Sequence, residues 1–130
     1  MYFCLNLEPA TKKNSQQMAY NKATGKRFPV QSKAYKKFER EALRQIPKPE
    51  VPISIPVNVK CVFYVRTMRK VDGLNLSAAV DDVLVKAGVL EDDNRDVVAG
   101  HDGTRVYLDR DNPRIEITIT EMPEYAQWKE

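Results

Sequence analysis

The residues best suited to chemistry in this sequence are carboxylates at the two ends of a single stretch. Asp72 stands near its start, and an acidic cluster of Glu91, Asp92 and Asp93 stands at its end. Oxygen ligands from aspartate, at a site that keeps positions open for water and substrate, are what Mg²⁺ or Mn²⁺ selects. Such an ion can polarise a phosphoryl oxygen and activate water. The stretch is therefore a candidate metal site for chemistry on phosphate esters.

The element that must position these carboxylates is a helix. Six apolar residues recur at three- and four-residue spacing, which is typical of an amphipathic helix. They are Leu76, Ala79, Val80, Val83, Leu84 and Ala87. Asp72 can cap the N-terminus, and Gly88 suits the left-handed residue after the last turn. A helix of roughly 14 residues is about 20 Å long, so Asp92 and Asp93 can meet Asp72 only if the chain folds back along it. A simpler interpretation stays open, in which Asp72 is only a cap and the acidic cluster only a solvated turn.

The order of residues in this stretch resembles that of the RusA-type Holliday-junction resolvases, which are small phage and bacterial endonucleases. The shared pattern is D-x-x-N-L-x-x-A-x-x-D-x-L-x-x-A-G-x-x-x-D-D. Here it is carried by Asp72, Asn75, Leu76, Ala79, Asp82, Leu84, Ala87, Gly88, Asp92 and Asp93. A final strand over Arg114–Thr120 and the overall layout are also similar. The resemblance implies one small domain over residues 1–130, of α+β type, with a mixed sheet and two main helices.

The resemblance also implies an activity, a cofactor and site residues. The family cuts branched DNA with a divalent metal, so Asp72 and Asp93 are expected to hold Mg²⁺ or Mn²⁺, with Asp92 beside them. Asn75, one turn into the helix, is expected to orient a water or a phosphate oxygen. The family acts as a homodimer, which suits the two-fold symmetry of a four-way junction.

Two departures from the family pattern keep other functions open. The family usually has a second aspartate where this chain has Leu74, and a lysine where it has Ala78. One alternative is therefore a catalytically weak or inactive protein that binds branched DNA. Another is a nuclease for flaps or other branched structures.

The charge distribution favours a polyanionic partner. The net charge is +3, but residues 1–70 hold 15 Lys and Arg against 4 Asp and Glu. A basic half joined to an acidic half fits a protein that holds DNA with one part and metal with the other. The alternative is that the halves simply neutralise each other. The candidate DNA-binding residues are Lys12, Lys13, Asn14, Lys22, Lys26, Arg27, Arg69 and Lys70.

The remaining elements follow from local patterns. Helix periodicity predicts a helix over Ser32–Ile46, and alternation predicts a strand over Val57–Arg66. A hairpin is predicted about Lys22–Gly25, and shorter strands are predicted over Tyr2–Leu7, Asp96–Gly100 and Thr104–Leu108.

Three further features bear on location and chemistry. No long apolar run or signal peptide is evident, so a cytoplasmic protein without a membrane partner is expected. Cys4 and Cys61 fall in strand-like runs, which favours buried thiols over a disulfide. His101, the only histidine, is interpreted as a turn residue rather than a general base, because no serine or cysteine motif accompanies it.

Overall fold

The computed structural model describes residues 1–11, 16–67 and 73–128. Within these ranges the chain forms a mixed β-sheet, a separate hairpin, two α-helices and a short 3-10 helix. The strands are β1 (Tyr2–Leu5), β2 (Gln16–Asn21), β3 (Lys26–Gln31), β4 (Val57–Val65), β5 (Val98–Gly100), β6 (Arg105–Leu108) and β7 (Arg114–Glu121). The helices are α1 (Lys33–Gln45), α2 (Gly73–Lys86) and the 3-10 helix Pro123–Trp128. The predicted α+β class, with a mixed sheet and two main helices, is confirmed.

The sheet is built around β4. On one side β4 pairs antiparallel with β7, which in turn pairs antiparallel with β1. On the other side β4 has two parallel neighbours, with β5 beside its start and β6 beside its end. Two short strands therefore share one edge of β4. Because a parallel neighbour requires a crossover, α2 connects β4 to β5 across one face of the sheet.

The core lies between this face of the sheet and the two helices. Alternate residues of β4 and β7 point inward and are almost fully buried, as strand geometry requires. These residues are Val57, Val59, Cys61, Phe63, Ile115, Ile117 and Ile119. The helices contribute the apolar stripe predicted for α2 and a second stripe from α1, formed by Tyr35, Phe38 and Ala42. The alternation of β4 and the period of α1 thus correctly identified the buried residues.

Helix α1 begins where the sequence predicts. The Ser32 hydroxyl accepts a hydrogen bond from the Tyr35 backbone N–H at 3.2 Å, which satisfies one of the free donors at the helix N-terminus. The helix ends at Gln45, within one residue of the predicted end. A cap of this kind contributes about 1 kcal/mol.

Helix α2 ends in the predicted turn, and the chain then reverses. Gly88 has a φ of 80°, a conformation that residues with a Cβ rarely adopt. Leu90 then forms a parallel bridge with Ile53, and Val98 lies beside Val57 at the start of β4. The chain therefore reverses after α2, and both ends of the segment 91–96 are held at the start of β4. The first turn of α2 lies near the other end of β4, where Gly73 is beside Val106, the partner of Phe63. The predicted cap, Asp72, lies outside the described residues.

The hairpin of β2 and β3 forms a two-stranded sheet of its own. Its tip spans residues 22–25, where Gly25 has a φ of 71° and donates its backbone N–H to the Asn21 carbonyl at 2.8 Å. Cys4 and Cys61 are both free thiols, as predicted, although Cys4 is only half-buried. No helix in the described ranges has the length and apolar character needed to cross a membrane.

Candidate functional site

The acidic loop, residues 91–96, is held in shape by its own side chains. Asp92 Oδ1 accepts a hydrogen bond from the Asp93 backbone N–H at 2.7 Å, and Asp92 Oδ2 accepts one from Asn94 Nδ2 at 3.0 Å. Asn94 Oδ1 in turn accepts a hydrogen bond from the Asp96 backbone N–H at 2.9 Å. Both oxygens of Asp92 are therefore engaged in building the loop.

Asp93 differs from its neighbour. Its side chain is exposed, and its carboxylate makes no hydrogen bond or ion pair with any described residue. The negative charge of Asp93 nevertheless acts on a buried group, because it adds to the rise in the pKa of Asp81 on α2 that burial causes. Of the two predicted metal ligands in this loop, Asp93 is the one whose oxygens are open to a ligand.

The other half of the predicted metal site lies outside the described residues. Asp72, Arg69 and Lys70 fall in the segment 68–72 between β4 and α2, for which the structure gives no description. Within the described ranges, no group of three or more His, Cys, Asp and Glu residues is placed to hold a metal ion. The pairing of Asp72 with Asp93 therefore stays a prediction.

The first turn of α2 carries two residues that matter for the site. Asn75 is half-buried there, one turn beyond the predicted cap. Leu74 is 80% exposed, which is unusual for so large an apolar side chain. One of the two positions at which the sequence departs from the family pattern is thus on the surface, two residues after Asp72 in the sequence.

The structure reveals a pair of charged residues that the sequence analysis missed. Asp81 is on the inner face of α2 and is only 6% exposed, and its Oδ2 lies 2.7 Å from His101 Nε2 in the turn after β5. Asp81 Oδ1 is also buried and has no hydrogen-bond partner among the described residues. The available signal was the helical spacing, because Asp81 lies four residues after Ser77 and three before Leu84, both of which are buried. His101 is in a turn, as predicted, but it is also the partner of this carboxylate.

The environment of the pair shifts both ionisation equilibria. Burial raises the pKa of the Asp81 carboxyl, and the hydrogen bond and charge of His101 oppose that rise. The hydrogen bond that the ring donates to Asp81 raises the pKa of His101, against the effect of the partial burial of the ring. The 2.7 Å contact and the raised pKa of His101 favour an aspartate–imidazolium pair, in which the cation offsets the burial of the carboxylate.

Asp82, next to this pair on α2, has a different role. Its Oδ2 accepts a hydrogen bond from the Tyr35 hydroxyl of α1 at 3.3 Å and lies 3.4 Å from Lys86 Nζ. Lys86 also contacts Glu39 of α1, at 2.8 Å. Asp82 therefore helps to join the two helices.

The candidate DNA-binding residues divide into two groups. Lys22, Lys26 and Arg27 are exposed at the tip of the hairpin, where Tyr20 pairs across the strands with Arg27 and is also exposed. The hairpin thus brings three cations and an aromatic ring together on an extended arm. Lys12, Lys13 and Asn14 lie outside the described residues, as do Arg69 and Lys70.

A cavity of about 590 Å³ lies at the carboxyl end of β4. Its described lining includes Phe38, Val65 and Leu76, with Lys37 and Arg66 at its sides, and includes neither Asp93 nor Asp81. The acidic loop is therefore exposed at the surface and separate from this cavity.

The chain is thus a small α+β domain. Its acidic loop lies at the surface and follows the crossover helix α2, and its basic hairpin forms a separate two-stranded sheet. Comparison with models of protein families matches residues 6–120 to the family described as endodeoxyribonuclease RusA. The chain therefore belongs to the RusA family of endodeoxyribonucleases, and the resemblance found in the sequence is confirmed. Membership implies endodeoxyribonuclease activity and supports a Holliday-junction-resolving endonuclease. A search among curated proteins found no match.

Proposed function

We propose that this chain is a divalent-metal-dependent endonuclease that hydrolyses phosphodiester bonds in branched DNA, with the four-way junction as its main substrate. The observation that supports this most directly is the state of Asp93. Its carboxylate is exposed and unengaged in a loop that Asp92 and Asn94 hold rigid, in a chain of a family whose nucleases generally depend on divalent metals. A fixed loop that leaves one carboxylate open is what a ligand site needs.

The ligands that we assign fit a hard divalent cation. Asp72 and Asp93 would supply carboxylate oxygens, and Asp92 would adjust the site by keeping the loop in shape. Mg²⁺ is commonly held by one or two carboxylates, with water and substrate phosphate in the other positions. Bound there, Mg²⁺ or Mn²⁺ would polarise a phosphoryl oxygen and activate water. Asn75 would orient the water or the phosphate oxygen through its side-chain amide.

The basic residues hold the DNA in this proposal. The exposed tip of the hairpin places Lys22, Lys26 and Arg27 where they can contact phosphates without disturbing the core. Lys12, Lys13 and Asn14 precede the hairpin in sequence, and Arg69 and Lys70 lead into α2. Phosphate contacts of this kind provide affinity that depends strongly on salt.

Leu74 supports a second candidate, a protein of this family that binds branched DNA but cuts it weakly or not at all. An exposed leucine in the first turn of α2 supplies no oxygen to a cation. With fewer carboxylates, the nuclease should need a high metal concentration. A Leu74→Asp variant should lower that requirement if Asp72 and Asp93 form the site.

One experiment separates these functions. The protein is incubated with a synthetic four-way junction, a flap and a linear duplex, each with Mg²⁺, Mn²⁺ or a chelator. We expect metal-dependent cleavage of the junction in preference to the other two. Cleavage mainly of the flap would favour a nuclease for other branched structures. Junction binding without cleavage at any metal concentration, not rescued by Leu74→Asp, would show that the nuclease proposal is wrong.

A further inference from the structure

The carboxylate of the Asp81–His101 pair is buried among the apolar residues of the inner face of α2. Asp81 occupies an inward position of α2, with Val80 and Leu84 fully buried nearby. Taking a carboxylate out of water is unfavourable unless hydrogen bonds and a cation replace the lost hydration. His101 satisfies only one of the two oxygens, since Asp81 Oδ1 has no partner among the described residues. An apolar residue at position 81 would continue the stripe of the helix without this cost.

The part of the pair that faces outward is the ring of His101. Its side chain is 35% exposed, although its Nε2 is engaged with Asp81. The other nitrogen, Nδ1, makes no hydrogen bond within the described part of the chain. In an imidazolium both ring nitrogens carry protons, so Nδ1–H is a charged donor without an acceptor. The partner that such a donor favours most is an anion.

The turn that carries His101 is fixed to the sheet. Asn58 of β4 accepts a hydrogen bond from the Asp102 backbone N–H at 2.7 Å and donates one to the Asp102 carbonyl at 3.0 Å. Gly103 completes the turn with a φ of 88°, and a Cβ at this position would lie 3.1 Å from Cδ of Lys60. The imidazole is therefore held on a rigid support, with the side chain of a second basic residue packed against the same turn.

The charged groups around the pair connect it to the acidic loop. On α2 the partner is Asp81 itself, and the charge of Asp93 in the loop acts on that carboxylate. Asp102, on the same turn, acts on His101. Beneath Asp81, Cys61 of β4 is a buried thiol whose pKa is raised by burial, so it stays neutral. Asp81 is thus the residue that is influenced both by His101 and by Asp93 of the acidic loop.

We propose that His101 is a phosphate-binding residue of this protein, and that Asp81 is the positioning residue that keeps its ring oriented and charged. Nδ1–H of His101 donates to a non-bridging oxygen of a DNA phosphate held beside the acidic loop. Asp81 accepts a hydrogen bond from Nε2 and so fixes the ring with Nδ1–H pointing outward. The negative charge of Asp81 also keeps the imidazole protonated when bound DNA covers the ring. This inference rests on the proposed function, because it assigns a further contact to the same DNA.

The test uses variants that separate stability from phosphate binding. In Asp81→Leu/His101→Phe the buried ion pair is replaced by apolar side chains, a change that is often neutral or stabilising for folding. His101→Gln removes the charge but keeps a polar side chain, and Asp111→Asn is a control that changes one exposed acidic residue elsewhere. Junction affinity is measured over a range of salt concentrations in Ca²⁺ or chelator, and cleavage is measured separately in Mg²⁺.

We expect both His101 variants to bind the junction about 10- to 100-fold more weakly, the range for a lost hydrogen bond to a charged group. The slope of log affinity against log salt should become smaller by about 0.9, which corresponds to one phosphate contact. The double variant should melt at or above the temperature of the wild type. Because His101 is the only histidine, the single imidazole NMR signal of the wild type should also shift, and the ring should titrate at higher pH, when the junction binds.

The outcomes separate this inference from the proposed function. If the wild type binds and cuts the junction, and the double variant matches it in affinity and salt slope, His101 is structural and this inference is wrong. An imidazole signal that DNA leaves unchanged would lead to the same conclusion without any variant. If the wild type binds the junction but cuts nothing, the nuclease proposal fails while the affinity measurements still test His101. If the wild type binds no DNA, both proposals are wrong.

Discussion

At the level of single residues, Asp92 and Asp93 are adjacent acids whose oxygens are used in different ways. The two oxygens of Asp92 accept hydrogen bonds from the backbone N–H of Asp93 and the side chain of Asn94, whereas the carboxylate of Asp93 bonds to none of the described residues. The sequence presents the two as equivalent members of one acidic cluster. The hydrogen bonds make Asp92 a residue that shapes the loop and leave Asp93 as the stronger candidate for a ligand.

This difference predicts the effect of Asp93→Asn. Because the Asp93 side chain is exposed and unbonded, the free energy of unfolding should change by no more than about 0.5 kcal/mol. Loss of a metal-ligand interaction worth about 3 kcal/mol in the transition state should lower the cleavage rate about 100-fold. Junction binding should stay level or tighten, because a repulsive carboxylate is removed. The rate is measured in single turnover with saturating metal.

Asp96→Asn, in the same loop, is the matched control, since it removes the same charge from an exposed position. It should cut at close to the wild-type rate. Equal loss in both variants would mean that the loop contributes only its total charge, and no loss in either would remove Asp93 from the site. Asp72→Asn should behave like Asp93→Asn if the two share a metal, and like the control if Asp72 is only a helix cap.

The Asp81–His101 pair predicts a dependence of stability on pH. The hydrogen bond that His101 donates to Asp81 raises the pKa of His101 in the folded protein above its unfolded value. The stabilisation is therefore complete below the unfolded pKa of about 6.5 and is lost as pH rises through the folded pKa. Burial also raises the pKa of Asp81, which acts with the same sign at lower pH. The melting temperature of the wild type should fall more steeply above about pH 6.5 than that of Asp81→Asn. Parallel melting curves for the two proteins would contradict the ion pair.

At the level of elements, the hairpin of β2 and β3 is the part of the described structure least integrated with the core. An isolated two-stranded hairpin is marginally stable in water, and this one also exposes Met18, Tyr20 and Phe28. A basic, partly aromatic arm of this kind suits a nucleic-acid surface, where phosphates meet the cations and bases can stack on the rings.

The charges on the hairpin tip predict a change in salt dependence. Replacing Lys22 and Lys26 with alanine should weaken junction binding and lower the log–log salt slope by up to about 1.8, which corresponds to two phosphate contacts. Both side chains are exposed, so the melting temperature should hardly change. The charge-matched control, Lys48→Ala/Arg110→Ala, should leave the slope nearly unchanged. If control and hairpin variants lose affinity equally, net charge and not the hairpin governs binding.

At the level of the whole molecule, the proposed function predicts that two copies of the chain act together. A four-way junction has two-fold symmetry, and paired cuts require two equivalent sites. We expect a homodimer with the two acidic loops on one face, so that each site can meet one of two symmetric strands. Sedimentation of the free protein at micromolar concentration should give a species of twice the chain mass of 14.9 kDa. A monomer both alone and on junction DNA would count against junction resolution and favour a nuclease for simpler branched structures.

The sequence by itself determined the features that depend on local periodicity. The apolar spacing of α1 and α2 gave their buried faces, the alternation of β4 gave the central strand, and Gly88 gave the turn that reverses the chain. The order of polar and apolar residues from Asp72 to Asp93 indicated the family. These features are local because each follows from the geometry of a single helix, strand or turn, which a few neighbouring residues specify.

Only the tertiary structure decided which side chains meet across elements. Periodicity predicts that a residue of α2 points inward, but not that the inward Asp81 faces His101, 20 positions later on a different element. The sequence likewise did not predict that β5 and β6 both pair with the same edge of β4. Strand pairing depends on distant partners and not on the residue pattern of either strand. Local spacing therefore gave the carboxylates of the candidate site, whereas long-range packing supplied the imidazole that we place beside them, since a contact between distant residues is fixed by the whole fold.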